Sequence, residues 1–284
     1  MRFGIVLICL LLAVSVRARE VMQFGVFGTV EGLSPLIVAG RQIDVPEGLR
    51  VLSVLGSEVG IAKGDTLAVV AQVRDARLVA ARILHVFAII GPVQGLSHGA
   101  LRVHGALRVM GTWVEQPQNM DLAEGQWVAV SGHWSGDTVI TTQLRRIEGG
   151  GFGQITGVVE QAQTLGTTAL RVAQLPEGGF GQDLWILGGG PEEDALVVRM
   201  MSKGVFGGAV YLALWQGYAS VPIASQTYMI HGMGITGTAR DAQMPVPGAL
   251  VTRCALSGRV VTEPPEGLEA GFAALGCATH TPAE

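Results

Sequence analysis

Gly95-Leu96-Ser97-His98-Gly99 carries the G-x-S-x-G spacing of a serine-hydrolase nucleophile elbow. That elbow needs a strand before the serine and a helix after it, so that the hydroxyl stands above the sheet. Here Ala100 to Val103 follows and alternates like a strand. A related turn, Gly32-Leu33-Ser34-Pro35-Leu36, occurs earlier in the chain without the second glycine. A hairpin turn accounts for both segments, and a hydrolase using Ser97 is the alternative reading. A second chemical spacing is Gly232-Met233-Gly234-Ile235-Thr236-Gly237, which fits G-x-G-x-x-G. A dinucleotide site needs a helix whose N-terminus meets the pyrophosphate. Pro245 and Pro247 leave little room for one, so close strand packing is the plainer account.

Six histidines are available for metal or acid-base work: His85, His98, His104, His133, His231 and His280. None forms H-x-H, H-E-x-x-H or a Cys-His cluster. His98 and His104 sit on neighbouring runs and can face each other, though exposed strand or turn histidines explain them as well. Glu192-Glu193-Asp194 follows Gly188-Gly189-Gly190-Pro191 and reads as a solvated turn. It lacks oxygen ligands at the regular spacing of a cation loop. No catalytic, cofactor-binding or metal-binding residue is therefore assigned, and a non-enzyme is expected.

Among five tryptophans, Trp127 and Trp185 fall in equivalent closing strands. Aromatics on a barrel face can stack on sugars or bases. The competing role is core filling, favoured by the area a tryptophan buries. These two are the candidate ligand-stacking residues.

The elements that must position these groups follow from short apolar-polar alternation broken by Gly, Pro, Asp and Ser. Leu122 to Glu148 is the clearest stretch: a Gly125 turn, an alternating strand, a tight Ser135-Gly136-Asp137 turn and a second strand ending on Ile147. The same order of landmarks occurs twice. Val30, Leu36 to Gly40, Gly64 and Ile83 are answered by Val93, Leu101 to Gly105, Gly125 and Ile147 at offsets of 61 to 65 residues. Repetition at one spacing marks a repeated supersecondary unit. Modules are expected at 25–88 and 89–148, and a degenerate third at 151–203. In the third, Leu170 to Ala173 is read as the second strand. The region 204–284 is read as a fourth diverged module or a cap, with strands at Val210 to Trp215, Tyr228 to His231, Ala249 to Leu256 and Arg259 to Thr262. A helix over Leu268 to Leu275 is possible, though Gly271 weakens it. About five short strands per module fit small barrels of the OB type, because closure removes the unpaired sheet edge. The fold class expected is all-β, with OB-like barrels in tandem.

Composition agrees with many tight turns: 41 glycines, 49% hydrophobic residues and 15% charged residues. Residues 1–18 read as a signal peptide. Arg2 leads an apolar run from Phe3 to Val14, and Val16-Arg17-Ala18 supplies a cleavage site. The run falls short of the roughly 20 residues of a membrane span. Cleavage removes Arg2 and Arg17 and no acid, taking the formal charge from −4 to −6. No basic block remains, so nucleic acid is a poor partner. Of three cysteines, Cys9 leaves with the signal. Cys254 and Cys277 then suggest one disulfide in an oxidising compartment, against two free buried thiols. Periplasmic or extracellular localisation is expected, with no transmembrane span after cleavage.

The modules resemble the exported bacterial repeat family called domain of unknown function 5666. The likeness lies in a G-x-V opening, an L-x-V-x-G hairpin, an L-x-x-G-x-x-V-x-V-x-G strand and an A-x-x-I ending. The second module matches at Leu122, Gly125, Val128, Val130, Gly132 and Ile147. The first matches at Gly64, Leu67, Val69, Ala80 and Ile83, with Ala71 where the pattern has Gly. The resemblance implies an exported OB-like barrel and no catalytic residues. The expected role is a non-enzymatic binding or scaffold module for an envelope glycan, peptide or protein, with a purely structural spacer as a further alternative.

Overall fold

The computed structural model describes residues 22–53, 58–97, 106–115, 120–160, 162–208, 210–223, 226–238 and 244–277. Residues 1–18, His98, His104 and His280 lie outside the described residues. The described residues form 21 strands and one short helix, so the fold is all-β.

Unit 1 holds β1 (Gln23–Leu33), β2 (Leu36–Val38), β3 (Arg41–Asp44), β4 (Val51–Ser53), β5 (Thr66–Arg74) and β6 (Arg77–His85). Unit 2 holds β7 (Ile89–Ser97), β8 (Ala106–Val109), β9 (Thr112–Glu115), β10 (Trp127–Ser135) and β11 (Thr138–Arg146). Unit 3 holds β12 (Gly153–Val158), β13 (Thr164–Leu165), β14 (Thr168–Val172), β15 (Leu184–Glu192) and β16 (Ala195–Lys203). Unit 4 holds β17 (Val210–Tyr218), β18 (Thr227–Ile230), β19 (Ile235–Thr238), β20 (Leu250–Leu256) and β21 (Arg259–Val260), followed by α1 (Glu269–Ala274).

In unit 2 the first strand pairs with the second, the second with the third, the third in parallel with the fifth, the fifth with the fourth, and the fourth with the first. The ring is closed, so no strand is left as an edge. Unit 1 closes by the same order through β1, β2, β3, β6 and β5. Unit 3 follows it too, its first and second strands joined by the Glu160 N–H to Thr164 carbonyl bond of 2.9 Å. Unit 4 repeats it, with an Ala219–Ile230 bridge closing β17 to β18. This is the OB-like order.

A local device recurs in the fourth strand. Register shifts fall between Val70 and Ala71, Ser131 and Gly132, and Gly188 and Gly189. A Cβ at Gly132 would clash with the Ile140 carbonyl oxygen, and one at Gly189 with that of Val197. The bulge thus demands glycine in units 2 and 3, and unit 1 accepts Ala71 at the same step.

The barrels are not independent beads. β1 pairs in parallel with β17, and β7 pairs antiparallel with β12. Units 1 and 4 therefore share one sheet, and units 2 and 3 another. One core joins Leu107, Val128 and Val130 of unit 2 to Ile155, Leu187 and Leu196 of unit 3, all fully buried. Another packs the outer face of unit 1, through Phe27, Ala68 and Val70, against Leu184 and Ile186 of unit 3 and Tyr228 of unit 4. Strand β5 is consequently buried on both faces from Thr66 to Ala71.

Helix α1 seals unit 1. Phe272 and Leu275 enter the core formed by Phe24, Val26 and Leu214. Gly271 lies against the Phe24 ring so closely that a Cβ would clash, which accounts for a poor helix former in the middle of a short helix. Cys254 and Cys277 are disulfide-bonded, 23 residues apart, with Cα atoms 5.6 Å apart. A loop of that length is worth roughly 3 kcal/mol in the chain-entropy view.

Two strand expectations are corrected and one strand is added. The partner of the Leu36 to Gly40 hairpin is Leu107 to Gly111, not Leu101 to Gly105. Met110 and Gly111 (φ 47° and 84°) make the turn that Ala39 and Gly40 (φ 50° and 71°) make in unit 1. Leu101 to Gly105 lies outside the described residues. In unit 3 the second strand is β13, and Leu170 to Val172 belongs to the third, which runs parallel to β16. In unit 4, β19 was unrecognised inside the G-x-G-x-x-G spacing.

Candidate functional site

Two clusters of chemistry-bearing side chains stand where the units meet. The first lies between units 1 and 2. The Gly64-Asp65 turn leads into β5, His85 ends β6, Ser131 and His133 come from β10, and Thr142 and Arg145 come from β11. Asp65 Oδ2 accepts the Ala62 N–H at 2.6 Å and pairs with the Arg145 guanidinium. Asp65 Oδ1 is 3.5 Å from His85 Nε2, and the same Nε2 is 3.2 Å from Ser131 Oγ. Thr142 Oγ1 donates to the Gly64 carbonyl at 2.6 Å. Nearby, His133 Nε2 is 2.8 Å from Thr29 Oγ1, while the Thr29 N–H donates to Gln216 Oε1 at 2.8 Å. The network therefore ties β10 to unit 1 and unit 1 to unit 4.

Asp65, His85 and Ser131 have the residue types of a hydrolytic triad and not its geometry. A triad presents one imidazole nitrogen to the serine and the other to the carboxylate. Here Nε2 faces both groups, and His85 Nδ1 has no hydrogen-bond partner. Asp65, His85 and Ser131 are at most 1% exposed, leaving no approach for a substrate. Burial, with the Arg145 charge adding to it, lowers the His85 pKa to about 4. Burial also lowers His133 to about 4, with the Gln216 side chain, as an acceptor, acting the other way. Both rings are neutral at neutral pH. Burial raises the Asp65 pKa, opposed by the Ala62 N–H and by Arg145. The cluster is a clamp between barrels.

The second cluster borders a cleft of about 980 Å³ where units 2, 3 and 4 meet. Unit 2 contributes Trp134 and the Gly136-Asp137 turn between β10 and β11. Unit 3 contributes Val158 to Glu160, the Gln163 to Gly166 hairpin and the Leu175 to Gln182 connection, with residue 161 outside the described residues. Unit 4 contributes Met229 to Gly232 and Gly234. Trp134 is the hinge of this arrangement. Its indole N–H donates to the Thr156 carbonyl at 2.7 Å, and the ring is 2% exposed. Gly166 and Gly232 press on the ring, with no room for a Cβ at either. Gly234 likewise lies against the Gln182 carbonyl. The G-x-G-x-x-G spacing is thus a turn packed against two other units that runs directly into β19, whose Ile235 to Gly237 complete it.

Burial lowers the His231 pKa, and the nearby Asp137 charge pulls it back up. Asp137, Glu160, Gln163 and Gln182 are exposed, so polar groups ring a floor of Val158, Leu165 and Phe180.

The remaining sequence candidates separate. Trp185 is 7% exposed, its N–H bonded to the Phe180 carbonyl at 2.9 Å and its ring T-stacked on Phe180. It fills core and has no face free for stacking, which corrects its candidacy. Trp127 is half-buried on Phe87, Ile90 and Ala129, away from the cleft. Ser97 ends β7 opposite Ala106 of β8, an antiparallel pair, so its segment joins a hairpin. Glu192 to Asp194 form the β15–β16 turn, with Arg171 bonded to Glu192 at 2.5 Å and Arg108 3.4 Å from Asp194. Among the described residues no three His, Cys, Asp or Glu side chains gather to hold a metal. No helix among them is long and apolar enough to cross a membrane. Asp137, Glu160, Gln163 and Gln182 were missed as site residues, and no short spacing in the sequence links them.

No protein-family model matches this chain, and comparison with curated proteins and with solved structures returns no match.

Proposed function

We propose that this protein is an exported, non-enzymatic binding or scaffold module of the cell envelope that holds its ligand in the cleft of units 2, 3 and 4. The observation that carries the reading is the cleft: about 980 Å³, with an apolar floor and exposed polar groups at its rim. Ligand sites are concave, mostly apolar and fitted with a few polar groups, commonly at domain boundaries. Unit 2, which lines one side of the cleft, is itself tied to unit 1 by the clamp. Export is supported by the Arg2-led apolar run, by the Val16-Arg17-Ala18 site and by the bridged Cys254 and Cys277. The likeness to the exported family of domain of unknown function 5666 points the same way.

The test is a thermal-shift screen of residues 19–284 with glycans, envelope peptides, nucleotides and divalent metals. A ligand at 100 times its Kd stabilises by about 2.7 kcal/mol. A shift is expected with one class, lost in Ala162→Trp, which sets an indole on an exposed residue of the cleft lining, and retained in Ser97→Ala. A shift that survives Ala162→Trp would place the ligand elsewhere. No shift with any class would favour a structural spacer.

A further inference from the structure

The cleft selects among ligand classes by its charge, its aromatic content and its backbone. Its ionisable lining residues are Asp137, Glu160 and His231, with no Lys or Arg among the described residues. Neither carboxylate has an ion-pair partner among those residues. Next to the lining residue Gln182, Asp183 meets Lys203 at 2.7 Å. An anionic ligand would face two carboxylates and no cation. Sugar rings and bases bind by stacking on open aromatic faces. The two aromatics of the cleft, Trp134 and Phe180, are 2% and 7% exposed and give no such face. Six lining residues are glycines, and beside them stand the exposed Gln163 and Gln182 amides, each able to donate and to accept a hydrogen bond. That wall suits a partner bringing its own peptide groups. The volume sits at the upper end of the roughly 300–1,000 Å³ of small-ligand sites.

We propose that the cleft binds an extended peptide segment carrying a basic side chain, Lys or Arg, paired with the Asp137 and Glu160 carboxylates, its apolar neighbours resting on Val158 and Leu175. The proposal rests on the reading of the cleft as a binding site. Charge-assisted hydrogen bonds would supply the selectivity and the apolar wall the area.

The experiment presents the full mature chain with a positional-scanning library of blocked pentapeptides and identifies the retained peptides by mass spectrometry. The best of them is then titrated by calorimetry at two salt concentrations. Enrichment of Lys or Arg is expected at one position, with affinity falling as salt rises. In Asp137→Asn/Glu160→Gln the enrichment should vanish and affinity should drop about tenfold, the size of one charged contact. Both positions are exposed, and an unchanged Tm shows the variant folded. Peptides retained without basic preference, and lost in Ala162→Trp, would overturn the basic class while leaving the cleft as a site. Retention that Ala162→Trp does not change would overturn both readings, as would retention of no peptide.

Discussion

At the junction of units 1 and 2, ionisable groups are sealed and paired; in the cleft of units 2, 3 and 4, they face outward. Asp65 and Asp137 make the contrast. Asp65 is fully buried, held by the Ala62 N–H and Arg145. Asp137 is exposed on a hairpin tip, with its charge directed at His231. The histidines repeat the contrast. His85 is stacked on Phe87 with ring centroids 4.1 Å apart and is neutral down to about pH 4. His231 is only half-buried and has an acid pulling its pKa back up. The same residue types are sealed into a clamp where the barrels meet tightly and stand open to solvent at the cleft rim where they leave space.

The contrast can be broken first at Arg145. Arg145→Met strands the Asp65 carboxylate, and removing one partner of a buried pair destabilises by about 3–5 kcal/mol. Arg145 is itself 29% exposed, so the lower end is expected. Urea unfolding of the single variant and of Asp65→Asn/Arg145→Met reads the coupling, and the double variant should recover much of the loss. Additive losses would show that the pair is not a clamp.

Acid should dissolve the clamp next. His85 and His133 each have a folded pKa of about 4, below the ordinary value of 6.5. The unfolded chain then binds more protons between those values, so stability is full above pH 6.5 and is lost as pH falls toward 4. The loss is on the order of 3 kcal/mol per ring. Asp65, with its pKa raised, works in the opposite sense over its own range and reduces the net effect. Unfolding free energies measured from pH 7.5 to 4 should slope downward, and His85→Gln should flatten the slope by about half. An unchanged slope in that variant would remove His85 from the account.

A smaller effect is expected at the bulge. Gly132→Ala drives a Cβ into the Ile140 carbonyl, and such overpacking costs about 1–3 kcal/mol. Ala71→Gly at the equivalent step of unit 1 should cost about 1–2 kcal/mol, from backbone entropy together with the loss of a fully buried methyl. Equal losses would mean that the two bulges differ less than their side chains suggest.

Much of the β architecture is legible in the sequence, because short apolar runs such as Trp127 to Val130 and Val139 to Ile140 are bounded by tight turns at Gly125 and Gly136. The Leu-x-Val-x-Gly hairpin is less so: it occurs twice, six residues apart, and only pairing distinguishes Leu107 from Leu101. Strand β5 hides its period because units 3 and 4 bury its outer face. Residue β19 positions were masked by glycines whose spacing suits a phosphate loop but whose role is contact with Trp134 and Gln182. The clamp and the cleft are illegible for one reason. Asp65 and Arg145 are 80 residues apart, and the cleft draws on four separated stretches of chain. Nothing in local spacing encodes which barrels touch.

The smallest effect tests the other half of the comparison. Asp137→Asn and Glu160→Gln alter charges that pair with no basic side chain among the described residues. Exposed substitutions away from caps and buried networks change stability by about 0.5 kcal/mol or less. Asp137→Asn should therefore leave the unfolding midpoint nearly fixed at pH 7. It should also lower the His231 pKa further, since the charge that opposes burial is gone. Titration of the His231 ring by NMR reads that shift directly. A fixed midpoint with a lowered His231 pKa is the signature of a carboxylate that shapes the cleft without holding up the fold. A large loss of stability would move Asp137 into the same class as Asp65.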